Sequence, residues 1–225
     1  MENKERLYNE AIKMIEKGDY LAAYNNLRRC KTYKDSKHLL KNFKVVFDKL
    51  KVVCYSSDGE TIRFKFEREY KYEENDKGEL FVSDGEKRYK IPSVVPDESE
   101  EIDNSIKVCE YDTNGNIILA VEYDENGKVC SKTVYKYDEN NNQTFCIVSD
   151  ADGEMIAKHE IVYDKFGDAT RRIHYIGNRM TGRSECEYNE YGNVTLVTSY
   201  DSNGELSGKA IYEYVNQRVI YNFIK

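Results

Sequence analysis

HEIVYDKFGDATRRIHY, residues 159–175, holds a Tyr-Asp pair separated by two residues from a glycine. Asp164 suits the first position of a type I turn and Gly167 the left-handed position after it, a three-residue hairpin loop closed by a G1 bulge. Asp164 then faces Asp168. Counting outward, Tyr163 faces Ala169, Ile161 faces Arg171, His159 faces Ile173 and Ala157 faces Tyr175. Side chains alternate along a strand, so the count places Tyr163 and Tyr175 on one face of a sheet. It sets Glu160 opposite Arg172 and Lys158 opposite His174 on the other face, and it turns His159 and His174 to opposite faces.

The phrase recurs as YDTNGN, YDENGK, YDENNN, YDKFGD, YNEYGN and YDSNGE. Its first position falls at Tyr111, Tyr123, Tyr137, Ser149, Tyr163, Tyr175, Tyr188, Tyr200 and Tyr214. These are spaced alternately by 12 and 14 residues, with one step of 13, so two turns make a unit of about 26. At SDADGE the rule pairs Ser149 with Met155 and Ile147 with Ala157. The short step belongs to YIGNRM, where Gly177-Asn178 suits a two-residue I′ or II′ turn that puts Tyr175 opposite Met180. Over roughly the last half of the chain the repeated phrases resemble the YD-repeat family, the Rhs-type repeats. That resemblance implies antiparallel hairpins that wind into shells and engage carbohydrate or protein rather than carry out catalysis. The long array and toxin-bearing end of that family are missing from this sequence.

With the tyrosines the count groups Leu119, Val121, Val129, Tyr135, Phe145, Ile147, Ile161, Ile173, Val194, Leu196 and Leu206, a face that must be covered. Lys132, Lys136, Lys158, Glu160, Arg172, His174, Glu187 and Lys209 fall on the other, which reads as solvated. Alternating strands of about nine and eleven residues shift successive hairpins, a shear similar to that of small barrels. The sheet is expected to coil, either closing with helices over one mouth or staying open as a half-shell.

Ahead of the repeats, residues 3–49 carry apolar positions at helical spacing, from Leu7, Ala11, Met14 and Ile15 to Leu39, Leu40, Phe43 and Phe47. Gly18 ends a first helix, Asp19 caps a second, and Asp35 or Ser36 caps a third. Tyr8, Ala11, Gly18, Tyr20, Ala23 and Leu27 followed by YKDS resemble a tetratricopeptide-type helix pair, which implies a protein-binding module. One pair is below the roughly three repeats that form an independent groove, so residues 1–49 are expected to serve as a helical cap. Residues 50–95 alternate with period two, as in IRFKFEREYKY, and read as two hairpins. Residues 96–104 form an acidic, solvated linker, and 105–225 the hairpin meander. The fold class is α+β, mainly β.

The 225 residues include 20 Tyr, no Trp and only 2 Pro, a balance that favours strands. Lys+Arg 34 against Asp+Glu 41 gives a formal charge of −7, with no basic, aromatic-laced face, so nucleic acid is not an expected partner. The charged start MENKERLYNE and the lack of a long apolar run predict no signal peptide, no membrane span and a cytoplasmic location, unless a leader has been removed.

Candidates for chemistry are few. Six cysteines show no CxxC or Cys/His spacing and read as free thiols. With His159 and His174 on opposite faces, they share no metal. The count aligns Cys146, Lys158 and His174, which leaves Cys146 and His174 about 9 to 10 Å apart and excludes a Cys-His catalytic pair. EYDENGKVCSKT mimics the start of a calcium loop but has Thr133 where the bidentate glutamate belongs. No catalytic residue, metal or cofactor is predicted. The expected function is a non-catalytic scaffold that binds a protein. A glycan-binding module with Tyr111, Tyr123, Tyr163 and Tyr200 as stacking platforms is the second reading, and an enzyme with an unrecognised site the third.

Overall fold

A computed structural model describes residues 3–74, 80–84, 88–91 and 106–221; the acidic linker at 96–104 lies outside the described residues. Three helices open the chain: α1 (Lys4–Lys17), α2 (Tyr20–Arg29) and α3 (Ser36–Leu40). Gly18 ends α1 at φ 78°, and the Asp19 side chain accepts from the Ala22 N–H to start α2. Asp35 flanks α3 without capping it and accepts instead from the Tyr8 hydroxyl at 2.5 Å, which pushes the phenol up to about 12.

The helical reading of residues 43–49 is corrected here. Phe43–Val46 is a strand, β1, and it pairs with β16 (Arg218–Tyr221). Phe43 and Phe47 satisfy a helical period, but β-branched Val45 and Val46 fit a pleated ribbon better, and the chain's last strand supplies the partner. That ribbon completes the helical core, in which Ala11, Ala23, Leu27 and Phe43 are buried beneath Val219 and Tyr221.

An antiparallel sheet of eleven strands dominates the fold. Its first hairpin is β2 (Lys49–Tyr55) with β3 (Ile62–Glu69). Residues 71–91 hold a separate three-stranded sheet, β4 (Lys71–Glu74), β5 (Leu80–Ser83) and β6 (Arg88–Ile91), so the strand expected through Tyr72 is broken at Tyr70. The repeat region supplies β7 (Ile106–Tyr111), β8 (Ile117–Tyr123), β9 (Val129–Tyr137), β10 (Gln143–Asp150) and β11 (Met155–Tyr163). It continues with β12 (Ala169–Ile176), β13 (Arg179–Tyr188), β14 (Val194–Asp201) and β15 (Leu206–Val215). Each strand pairs with the next, and β2 adds to β15, giving the order β3-β2-β15-β14-β13-β12-β11-β10-β9-β8-β7. The sheet does not close into a barrel. With an odd number of antiparallel strands, edge strands β3 and β7 run the same way, and closure would demand a parallel pair.

The turns follow the expected chemistry. In seven of them the aspartate or asparagine N–H bonds the carbonyl four residues on, and the N–H of the left-handed residue bonds back, as in Asp164 N to Asp168 O (2.9 Å) and Gly167 N to Asp164 O (3.1 Å). The side chain adds a clamp: Asp164 Oδ1 accepts from the N–H groups of Phe166 and Asp168. Asn141 takes the left-handed place at φ 59° where YDENNN lacks glycine. At Gly177-Asn178 only the glycine has positive φ, which fits a type II′ turn, and Tyr175 pairs with Met180.

Beyond the first pair the expected register fails, for one repeated reason. Tyr163 faces Ala169, but Val162 faces Arg171, so Thr170 is left out of the pairing as a second bulge. Ile118, Cys130, Thr144, Ile156, Thr181, Thr195 and Ser207 are skipped in the same way. Threonine is well suited to the position: Thr144, Thr170 and Thr181 hydroxyls donate to the carbonyls of Lys136, Val162 and His174.

Each second bulge reverses the alternation on its strand, so four expectations are corrected. The signature tyrosines do not share a face: Tyr163 keeps company with Ile161 and His159, whereas Tyr175 pairs with Lys158 on the opposite side. Glu160 faces Ile173 rather than Arg172, and its ion pair runs along its own strand to Lys158 at 2.8 Å. Ile147 faces Lys158, not Ala157. The inner face carries Ala120, Thr133, Cys146, Ala169 and Cys186, which are the sheet's buried residues outside the turns. Small side chains there let the bulged, strongly twisted strands curl around their own face. Leu119, Val121, Phe145, Ile147, Ile173 and Leu196, expected in the covered layer, lie on the outer face among lysines and glutamates.

The helices sit at one end of this sheet, against alternate turns. Arg28 forms an ion pair with Asp168 and lies 5.1 Å from the centre of the Phe166 ring, Lys31 bonds Asn142, and Lys4 Nζ reaches Asn140 at 3.0 Å. The 26-residue period is thereby explained: every second turn faces the helices.

Candidate functional site

Tyrosines at the helix end form a ladder. The hydroxyls of Tyr137, Tyr163 and Tyr188 donate to the carbonyls of Ile117, Gln143 and Ala169, each the first residue after the neighbouring helix-end turn. Burial pushes all three phenols up. Tyr111 holds the corresponding place on β7, yet no strand follows it among the described residues, and it is 60% exposed with no described hydrogen-bond partner. At the far end Tyr123 and Tyr200 lie on the outer face, and the Arg183 guanidinium covers the Tyr200 ring at 4.0 Å. The four tyrosines singled out from the sequence are therefore divided, Tyr111 and Tyr163 inside, Tyr123 and Tyr200 outside.

Exposed apolar side chains lie on both edge strands of the sheet as well as on inner strands, where Ile176 is the most open at 68%. Ile62 and Phe64 on β3, and Ile106, Val108 and Tyr111 on β7, are all open to solvent. An edge strand of this kind presents unpaired backbone N–H and C=O groups beside apolar side chains, a template for one more strand.

A second cluster lies on the inner face, where the sequence count found nothing. The bulge at Thr170 brings His159 opposite His174, with their Nδ1 atoms 2.8 Å apart and ring centroids 4.9 Å apart in edge-to-face contact. The expectation that these residues point to opposite faces is overturned. Cys146 is the cross-strand partner of His159 on the other side, replacing the expected Lys158, so Cys146, His159 and His174 form one row. Burial pushes the Cys146 thiol up, and burial together with His159 and Arg172 pulls His174 down. The row continues to Gly182, beside a depression of about 390 Å³ lined also by His174, Ser184 and Ser199. It adjoins a second of about 510 Å³ bordered by Cys54, Phe64, Val197 and Ala210, and Ser199 belongs to both. Among the described residues no three His, Cys, Asp or Glu side chains converge on a common metal position. The signal that could have located this row is Thr170, three residues after the turn glycine Gly167, a place that Thr195 also holds after Gly192 and Thr144 after the left-handed Asn141.

No family model matches the chain, and no curated protein matches it. Among solved structures, a porin-like protein from Bacteroides uniformis ATCC 8492 aligns over 75% of this chain and 96% of its own, at 11% identity and TM-score 0.31. A porin-like protein from Bacteroides vulgatus ATCC 8482 aligns over 77% and 100%, at 10% identity and TM-score 0.30. A protein of unknown function from the DUF3598 family of Nostoc punctiforme PCC 73102 aligns over 79% and 97%, at 11% identity and TM-score 0.16. At these TM-scores the likenesses carry no argument about fold or activity. No described helix is long and apolar enough to cross a membrane.

Proposed function

We propose that this protein is a non-catalytic hairpin-repeat scaffold that binds an extended strand of a protein partner along β7. The observation that carries this reading is the rung at Tyr111, which no described strand fills. Three equivalent tyrosines each donate to a neighbouring strand, and the fourth stands exposed on an edge flanked by exposed Ile106 and Val108. A partner strand there would gain main-chain hydrogen bonds, cover Ile106 and Val108, and accept from the Tyr111 hydroxyl. The 26-residue hairpin unit supports the YD-repeat resemblance, in which such sheets engage other molecules. A sugar platform has less support, since the tyrosines proposed for it are split between two faces.

The test uses a photoreactive residue. With benzoylphenylalanine in place of Lys107 or Tyr111, irradiation in an extract of the native cells is expected to yield a discrete protein adduct, lost on adding Val108→Pro. The same adduct from position 209 on the outer face, or none from β7, would refute edge binding. Tyr111-dependent retention on immobilised glycans would favour the sugar reading instead.

A further inference from the structure

We propose that His159 and His174 form a two-imidazole chelate for a divalent transition-metal ion of the zinc class. The two ligand nitrogens come from neighbouring strands and already stand 2.8 Å apart. Imidazole nitrogens bind zinc at about 2.0–2.1 Å, so two of them on one tetrahedral ion are separated by about 3.3–3.4 Å. Terminal ring torsions are broad, and a small rotation of both rings opens the pair by the difference. The sheet sets the spacing of the two backbones, so little ordering remains when an ion binds. Imidazole is a common ligand for this class of metal, and Cys146 extends the row with a soft sulfur one strand away from His159. Without a third converging group the ion keeps positions open to water, which the depression beside Gly182 admits. The proton now shared between the two Nδ1 atoms passes through solvent to the Nε2 atom of its own imidazole as the metal binds, so that both rings ligate as neutral imidazoles. The opposing feature is Arg172, two residues from His174 on the same face, whose positive charge weakens the site.

Calorimetric titration of the full chain with zinc chloride, under a non-thiol reductant, is the test. Only His38 lies outside the pair, so background imidazole binding is small. One zinc per chain is expected in the native protein and in His38→Gln. His159→Gln and His174→Gln are each expected to weaken binding at least about tenfold with the circular dichroism spectrum unchanged. Cys146→Ser should cost less than either. Arg172→Gln, which removes that opposing positive charge, should bind zinc several-fold more tightly. The proposal is overturned if the native protein takes up no zinc or a folded His159→Gln binds as the native chain does. It is equally overturned if Cys146→Ser loses more than the histidine variants, or a folded Arg172→Gln binds no more tightly.

Discussion

Replacing Tyr163 by Phe removes one hydroxyl from the middle of the tyrosine ladder and leaves the ring in place. The lost contact is the 2.8 Å bond to the Gln143 carbonyl. A neutral hydrogen bond of this sort contributes a net ~0.5–1.5 kcal/mol, and no cavity is created because the ring remains. Tyr163→Ala removes the ring as well; the ring is partly buried, so the cost of about 3–5 kcal/mol for large buried aromatics is its upper limit. Tyr111→Phe is the internal control, since its hydroxyl has no described partner and the residue is 60% exposed. Its expected cost is close to zero. Urea unfolding of the three variants, fitted with a common slope, separates these values. A Tyr111→Phe change as costly as Tyr163→Phe would show that the hydroxyl bonds are not what the tyrosines contribute.

Gly182→Ala is expected to cost ~1–3 kcal/mol in the same assay, because its Cβ would stand 2.8 Å from the Tyr200 carbonyl oxygen, a backbone atom that cannot swing aside. Arg28→Ala leaves Asp168 charged at a site only 18% exposed and should cost about 3–5 kcal/mol, against at most about 0.5 kcal/mol for Arg6→Ala at the exposed Arg6–Glu10 pair; equal losses would contradict the docking of the helices on the turns. Asp58 is held down to about 2 by the Thr61 hydroxyl and the N–H groups of Thr61 and Glu60. A depressed carboxyl stabilises the fold above its unfolded value of about 3.9, so that contribution is present at neutral pH and is lost as pH falls through about 2. A carboxyl carbon titration of Asp58 with its midpoint near 4 would contradict that hydrogen-bond set.

Much of this fold is legible in the residues, turn by turn. Asp or Asn at the first position and glycine three residues later dictate the loop, and Gly177-Asn178 explains the single short step. What the count misses is the second bulge, because strict alternation runs through Thr170 and its equivalents as though every residue were paired. One unpaired residue reverses a strand's faces, which is why the tyrosines fall inside and outside by turns and why His159 meets His174 rather than Ile173. The threonines at 144, 170, 181 and 195 carry the signal, since a β-branched hydroxyl suits a position that bonds a carbonyl across the strand. The helical reading of residues 43–49 fails for a different reason. Phe43 and Phe47 obey two periods at once, and only the distant strand at 218–221 decides between them. The edge at β7 could not be read at all, because which strands lack neighbours depends on topology and not on local sequence.

The register that places the histidine row can be checked by a NOESY spectrum of the native chain, in which three histidines leave the imidazole region uncrowded. With the His159 and His174 ring centroids 4.9 Å apart, cross-peaks between their ring protons are expected, and none from the His159 ring to the Ile173 methyl groups on the other face. Strong His159–Ile173 cross-peaks without a His159–His174 contact would restore the unbulged register and remove the shared inner face on which the metal site depends.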